Sequence, residues 1–218
     1  MKSEIFKRVI TSIIIFSILL FVLINSINYL LIFLSLFYLL SFYEVYKNSN
    51  SLQFTLLSNI FLLTAFYAFY YLRGNTDQEL IFLCWVLFTT FLSDIGGYVF
   101  GKTFGGKKLT KISPNKTYSG AIGSFIFSLM SLPILFLFQK NFLNEILIDF
   151  FKLNYFTLTL LISFVAQIGD IFVSYWKRKF KIKDTGNIFP GHGGVLDRID
   201  GLIFVLIFLL ILKTSFKI

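Results

Sequence analysis

The stretch Gly169–Asp200 reads GDIFVSYWKRKFKIKDTGNIFPGHGGVLDRID; it starts inside one long apolar segment, 155–176, and ends where another, 201–217, begins. Asp170 lies near the end of the first segment, and Ser174, Lys177, Arg178 and Lys181 follow it at steps of three or four. That spacing gathers them on one helix face. Asp197 and Asp200 are three apart, with Arg198 between them, and share a face if the next helix has already begun. Just upstream, Gly193-Gly194 frees backbone N–H groups ahead of a helix N-terminus, which is an anion-binding arrangement. Carboxylates, cations and open amides in one stretch suggest a metal ion bound to phosphate.

The rest of the chain is too apolar to face water. Of 218 residues, 56% are hydrophobic, 20% aromatic and 14% charged, and the mean hydropathy is +0.80. Too few polar side chains remain to coat a soluble fold, so the chain belongs in a bilayer. Its net charge of +9 then suits an anionic membrane surface and anionic substrates, and not nucleic acid. Cys84 is the single cysteine, so no intramolecular disulfide can form, and within its apolar run it reads as a packing residue.

Apolar runs recur at about 10–24, 27–43, 52–72, 80–100, 119–138, 155–176 and 201–217, each near the ~20 residues that cross a hydrocarbon core. The expected fold is an all-α polytopic membrane protein of about seven transmembrane helices. The basic start Met1–Arg8 followed by Ile10–Ile24 is like a signal peptide, but no small-residue cleavage site follows, so it reads as a retained span. The connection Asn25–Asn28 is so short that the first two runs are either separate spans or one bent, re-entrant pair. With the N-terminus cytoplasmic, fifteen Lys and Arg fall on the cytoplasmic side and five opposite: Arg73, Lys140, Lys152, Lys213 and Lys217. That bias puts both large polar loops, and the catalysis they carry, in the cytoplasm. No repeat, linker or soluble module interrupts the chain. Residues 1–218 read as one integral-membrane domain, with 1–92 as supporting helices and 93–218 as the catalytic helices and loops.

The fourth apolar run ends Ser93-Asp94-Ile95-Gly96-Gly97-Tyr98-Val99-Phe100-Gly101-Lys102. A carboxylate near the bilayer centre costs about 2.5–3.5 kcal/mol on insertion scales, so Asp94 is either functional or, nearer the interface, structural. Gly97, Gly101 and Gly105 recur every fourth residue, a spacing that lets helices approach closely. Gly101-x4-Gly106-Lys107 is similar to a phosphate loop, but Lys108 stands where Ser or Thr is required and no strand precedes it. The loop continues to Thr117 as a cationic cover in which Lys116 is either a topology lysine or a phosphate contact. His192 is the only histidine, either a turn residue or a phosphate contact, and a two-His zinc site within the chain is excluded.

Ser174-x-Trp176-Lys177-Arg178, Lys183-Asp184-x-Gly186 and Pro190-x-His192-Gly193-Gly194-Val195-x-Asp197-Arg198-x-Asp200 closely resemble the signature of the phosphatidate cytidylyltransferases, the CDP-diacylglycerol synthases. Ser113-Pro114 followed by Lys116-Thr117 is similar to a second stretch of that family, as is the Asp94 segment, so the resemblance covers roughly the C-terminal three-fifths of the chain. Before Ser93 only general hydrophobicity agrees. Two positions depart from the pattern. Trp176 stands where the family usually has an aliphatic residue or Phe, and Tyr118-Ser119-Gly120 where it carries an acid. The family more often has additional helices, so the chain resembles a shortened version.

The resemblance implies transfer of a cytidylyl group from CTP to phosphatidic acid, giving CDP-diacylglycerol and pyrophosphate for phospholipid synthesis in a bacterial inner (plasma) membrane. A homodimer follows by family analogy. Both reactants are anions, so the reaction demands charge neutralisation more than a strong base. If Asp170 and Asp197 converge, two anions ~4 Å apart repel by about 4 kcal/mol at an effective dielectric of 20. Mg2+, with a second cation left open, suits that pair because it takes oxygen ligands and substrate phosphates.

Asp170, Asp197 and Asp200 are therefore expected as catalytic metal ligands and Lys183 as a catalytic cation. Lys116, Ser174, Lys177, Arg178, Asp184, His192, Gly193, Gly194, Arg198 and Asp94 are expected to bind substrate. Two other functions compete. A CTP-dependent polyprenol kinase would need a base to activate its hydroxyl. A transporter would use Asp94 and Asp170 as intramembrane ion sites, but leaves the basic loop and its Gly-His-Gly-Gly turn without a role.

Overall fold

The computed structural model of the protein describes residues 2–110, 113, 116–143, 148, 149, 152–188 and 193–216. They form α1 (Lys2–Ile24), α2 (Ile27–Asn48), α3 (Leu52–Arg73), α4 (Asp77–Thr103), α5 (Tyr118–Leu129), α6 (Ser131–Phe138), α7 (Leu153–Lys179) and α8 (Leu196–Phe216). A π-turn at Gln139–Leu143 follows α6. No strand occurs among the described residues, only an isolated antiparallel bridge between Lys108 and Thr117.

Local chemistry sets the helix starts. Ser51 accepts the Phe54 amide ahead of α3. Thr76 and Glu79 form a reciprocal capping box at α4, whose first turn also holds Asp77 against the positive end of the helix dipole. Thr117 caps α5 through the Gly120 amide at 3.1 Å. Gly74 ends α3 at φ +52, a backbone that L side chains rarely adopt.

Among the described residues, five rods are long and apolar enough to cross a bilayer: α2, α3, α4, α7 and the continuous run Tyr118–Asn141 through α5 and α6. Their outer faces carry Leu57, Ile60, Phe91, Ile122 and Phe164, each more than half exposed. Lipid is the solvent such faces need, and this is an integral membrane protein. The seven expected runs map onto these helices, but they are not seven equivalent spans. α8 opens on Asp197, Arg198 and Asp200 before turning apolar.

Polar contacts between helix ends fix the up-and-down order. Arg73 Nε donates to the Leu23 carbonyl at 2.9 Å, and Lys213 Nζ lies 2.8 Å from Glu79 Oε1. The C-termini of α1, α3 and α8 therefore meet the N-terminus of α4 on one side. On the other, Asn48 Nδ2 donates to the Thr185 carbonyl at 2.7 Å and Lys116 meets Asp170. Both polar loops thus share the end where α2 and α7 finish and α5 and α8 begin.

Missing side chains bring the helices together. A Cβ on Gly96 would lie 2.3 Å from the Gly123 carbonyl oxygen, and one on Gly123 would lie 2.4 Å from Phe100 Cβ. On α8, a Cβ at Gly201 would sit 2.9 Å from the Ala166 carbonyl oxygen of α7. Close backbone approach of this kind replaces the hydrophobic drive that lipid cannot supply. The expected packing role holds for Gly97 and Gly101, which face Ser124 and Thr117. Gly105 takes no part: it lies beyond α4 at φ +57, with nothing within 4 Å of a Cβ. Buried hydroxyls tie the same helices, Ser93 to Ser163 at 2.8 Å and Thr89 to Ser131 at 2.9 Å.

Candidate active site

The first polar loop doubles back on itself so that one lysine reaches across the bundle. The Leu109 amide donates to the Lys116 carbonyl at 2.7 Å and the Tyr118 amide to Lys107 at 3.1 Å. Held by this turn and by the Thr117 cap, Lys116 Nζ lies 2.5 Å from Asp170 Oδ2 on α7. Asp94 of α4 and Gln167 of α7 join Lys116 and Asp170 around a cavity of about 240 Å³. Asp200, from the second turn of α8, is a near neighbour of Asp170. Asp94 is thus not a stray intramembrane charge, because it faces a polar cavity with a cation in it.

The second polar loop closes on a different carboxylate. Asp197 Oδ1 receives Lys177 Nζ at 2.8 Å. Its Oδ2 accepts the Thr185 amide at 2.8 Å, the Thr185 hydroxyl at 3.1 Å and the Gly194 amide at 3.0 Å. Both residues of the ion pair are largely buried, with side-chain exposures of 13% and 6%.

Glu44 on α2 completes this loop. It is 2% exposed; its Oε1 accepts the Val195 amide at 2.7 Å, and its Oε2 accepts the Leu196 amide at 3.0 Å and the Thr185 hydroxyl at 2.7 Å. A buried carboxylate is tolerated when it is fully hydrogen-bonded, and here it caps α8 from another helix. A Cβ on Gly194 would lie 2.5 Å from Glu44 Oε1, and one on Gly186 2.9 Å from it, so both glycines make room for that acid.

The open amides expected around Gly193-Gly194 are therefore not open. The N–H groups of Gly194, Val195 and Leu196 are all taken by Asp197 or Glu44. Gly193 keeps a turn role at φ +85.

The structure sorts the remaining expected residues. Lys183, Asp184, Arg178 and Arg198 are exposed at the same end of the bundle, and Ser174 is half-buried one turn beyond Asp170. Arg178 Nη1 donates to the Ile182 carbonyl at 3.3 Å, closing the turn that follows α7. Pro190, Gly191 and His192 lie outside the described residues.

Of the acids expected to share a cation, Asp170 pairs with Lys116 and Asp197 with Lys177. Among the described residues, no group of three or more Asp, Glu, His or Cys stands together to hold a metal ion. Asp170 and Asp200 carry the oxygen donors that Mg2+ takes, and Asp170 already faces the Lys116 ammonium. Asp197 Oδ2 is committed to the loop, whereas among the described residues Oδ1 meets only Lys177 Nζ.

Glu44, Asn48 and Thr185 escaped the sequence reading. The one available signal was that Glu44 is the sole acid in the otherwise apolar α2.

Residues 10–216 match the sequence model of the cytidylyltransferase family. The chain belongs to this family. It is 39% identical over 177 residues to a phosphatidate cytidylyltransferase of Staphylococcus haemolyticus (strain JCSC1435), covering 78% of this chain and 63% of that protein. A phosphatidate cytidylyltransferase of Rickettsia conorii (strain ATCC VR-613 / Malish 7) is 39% identical over 140 residues, 64% of this chain and 60% of the relative. One from Staphylococcus aureus (strain COL) is 38% identical over 174 residues, 78% and 63% of the two chains. The chain spans about six tenths of the length of these curated relatives. The expected resemblance is borne out, and the family match extends well upstream of Ser93. At one end of its bundle this cytidylyltransferase-family member gathers two lysine–aspartate pairs.

Proposed function

We propose that the protein transfers a cytidylyl group from CTP to phosphatidic acid. A phosphate oxygen of the lipid attacks the α-phosphorus of CTP, the bond to the β-phosphate bridging oxygen breaks, and pyrophosphate leaves. The observation that carries this reading is that Lys116, Asp170 and Asp94 line one cavity, beside the loops at one end of the bundle, in a family of cytidylyltransferases.

Bringing two phosphate anions together demands fixed positive charge more than a base, and the chain supplies it from two sides. Lys177 is held by Asp197 where screening by water is weak, and Lys116 is held by Asp170 at a partly exposed position. Arg178, Lys183 and Arg198 form an exposed rim that draws in the nucleotide, with Asp184 orienting its neighbours and Ser174 beside the phosphates. Asp170 and Asp200 would hold Mg2+, with Asp197 joining through Oδ1 when Lys177 turns to a phosphate. A divalent cation held by these acids would supply positive charge to offset the charge that develops on the phosphates.

Seven membrane crossings, with α1 and α8 added to the five longer rods, would put the site at the cytoplasmic face of a bacterial inner membrane. The excess of Lys and Arg in the loops at the site's end supports that orientation. Assay of the purified chain in detergent with phosphatidic acid, Mg2+ and CTP tests the function. Label from the α-position should enter lipid, with pyrophosphate released. Label entering from the γ-position would indicate a lipid kinase, and none from either would overturn the proposal.

A further inference from the structure

A second cavity, of about 310 Å³, opens between α2, α3, α7 and α8. Its lining includes Val45, Phe54, Phe61, Trp176, Leu196 and Phe204, and Ser58 is its one polar residue. Leu57 and Phe172 on its margin are 67% and 54% exposed, so the groove opens to the outside of the bundle, where lipid lies. It spans residues 54–62 of α3 and 196–204 of α8. Eight residues of helix measure about 12 Å, close to the ~15 Å of one hydrocarbon leaflet.

One polar atom in this groove has no use within the fold. Trp176 is 6% exposed, yet among the described residues its indole Nε1 has no hydrogen-bond partner. A buried indole N–H ordinarily finds an acceptor, and in hydrocarbon it cannot borrow one from water. The ring is not free to search. It stacks on Phe54 at 5.9 Å with an interplanar angle of 14° and meets Phe180 edge-on at 5.9 Å. Trp176 and Leu196, at the polar end of the groove, directly precede Lys177 and Asp197 in sequence. An acyl chain in the groove would therefore bring its ester to the level of that ion pair, with its phosphate toward the cations.

We propose that this groove seats one ester-linked acyl chain of a diacyl phosphate lipid, and that the ester carbonyl accepts the Trp176 indole N–H. The inference rests on the proposed lipid substrate and adds to it a specificity for ester over ether linkage. Trp176 is then a positioning residue for the lipid and not a group that touches the reacting phosphorus.

The test is binding of radiolabelled phosphatidic acid to the full-length chain in detergent, without CTP, using diester and diether forms of equal chain length. One neutral hydrogen bond corresponds to about a fivefold change in Kd. Trp176→Phe should weaken the diester lipid about fivefold and leave the diether lipid within about twofold. An equal change for both lipids, or none for either, overturns the proposal. Should Trp176→Phe not fold, Trp85→Phe leaves Trp176 as the sole tryptophan and reporter. Diester phosphatidic acid with brominated chains should then quench its emission saturably, and unlabelled phosphatidic acid should restore it. Absence of quenching, or equal restoration by phosphatidylcholine, overturns it. Saturable ester-selective binding without cytidylyl transfer would refute the reaction proposed above and leave the groove assignment standing.

Discussion

Glu44 Oε1 accepts the Val195 amide at 2.7 Å, so an acid near the end of the second helix caps the start of the last one. The contact bridges 151 residues of sequence and sets where Asp197 and Asp200 emerge. Glu44→Gln keeps the shape but turns one acceptor into a donor facing an amide. Hydrogen bonds to charged groups contribute about 1.5–3 kcal/mol each, so the substitution should lower stability by at least about 2 kcal/mol. Thermal unfolding in detergent should show the lower Tm, and turnover should fall with it.

Asp170→Asn should leave the fold intact and abolish most turnover. It removes the charge opposite Lys116 and one member of the Asp170–Asp200 pair. Loss of a preorganised electrostatic group typically costs about 10²–10³ in kcat. Cytidylyl transfer beside a size-exclusion profile checks both halves, and near-normal activity would contradict the assignment.

Lys177 and Asp197 should prove strongly coupled. Removing one partner of a largely buried pair leaves an uncompensated charge and costs about 3–5 kcal/mol. Lys177→Met and Asp197→Asn together should therefore destabilise less than the sum of the single changes. A double-mutant cycle in denaturant measures this, and additive effects would show that the pair contributes no coupling.

Gly123→Leu should separate α4 from α5, because even a Cβ there would overlap Phe100 and the Gly96 carbonyl. Overpacking costs about 1–3 kcal/mol or more, and the loop that carries Lys116 would move with α5. Yield of folded protein and kcat should fall together, whereas Ile122→Leu, on the exposed face of α5, should change neither.

Lys213→Met tests the opposite end. Its pair with Glu79 is a quarter to a third exposed, and such pairs contribute about 0–1 kcal/mol. Activity should be unchanged and Tm should shift by no more than a few degrees. A large loss of activity would show that the two ends of the bundle are coupled.

The sequence by itself determined the solvent, the helices and the family. Runs of about twenty apolar residues can satisfy their backbone hydrogen bonds in lipid only as helices, so their positions were legible without coordinates. The motif from Ser174 to Asp200 carried the family resemblance in the same way, because it is local to one segment. Only the tertiary structure decided which acids meet. Asp170 pairs with Lys116 across 54 residues, and Glu44 takes amides that a local reading leaves open for phosphate. Such choices depend on how closely backbones approach at Gly96, Gly123 and Gly201. That approach belongs to pairs of helices and leaves no periodic mark on either one.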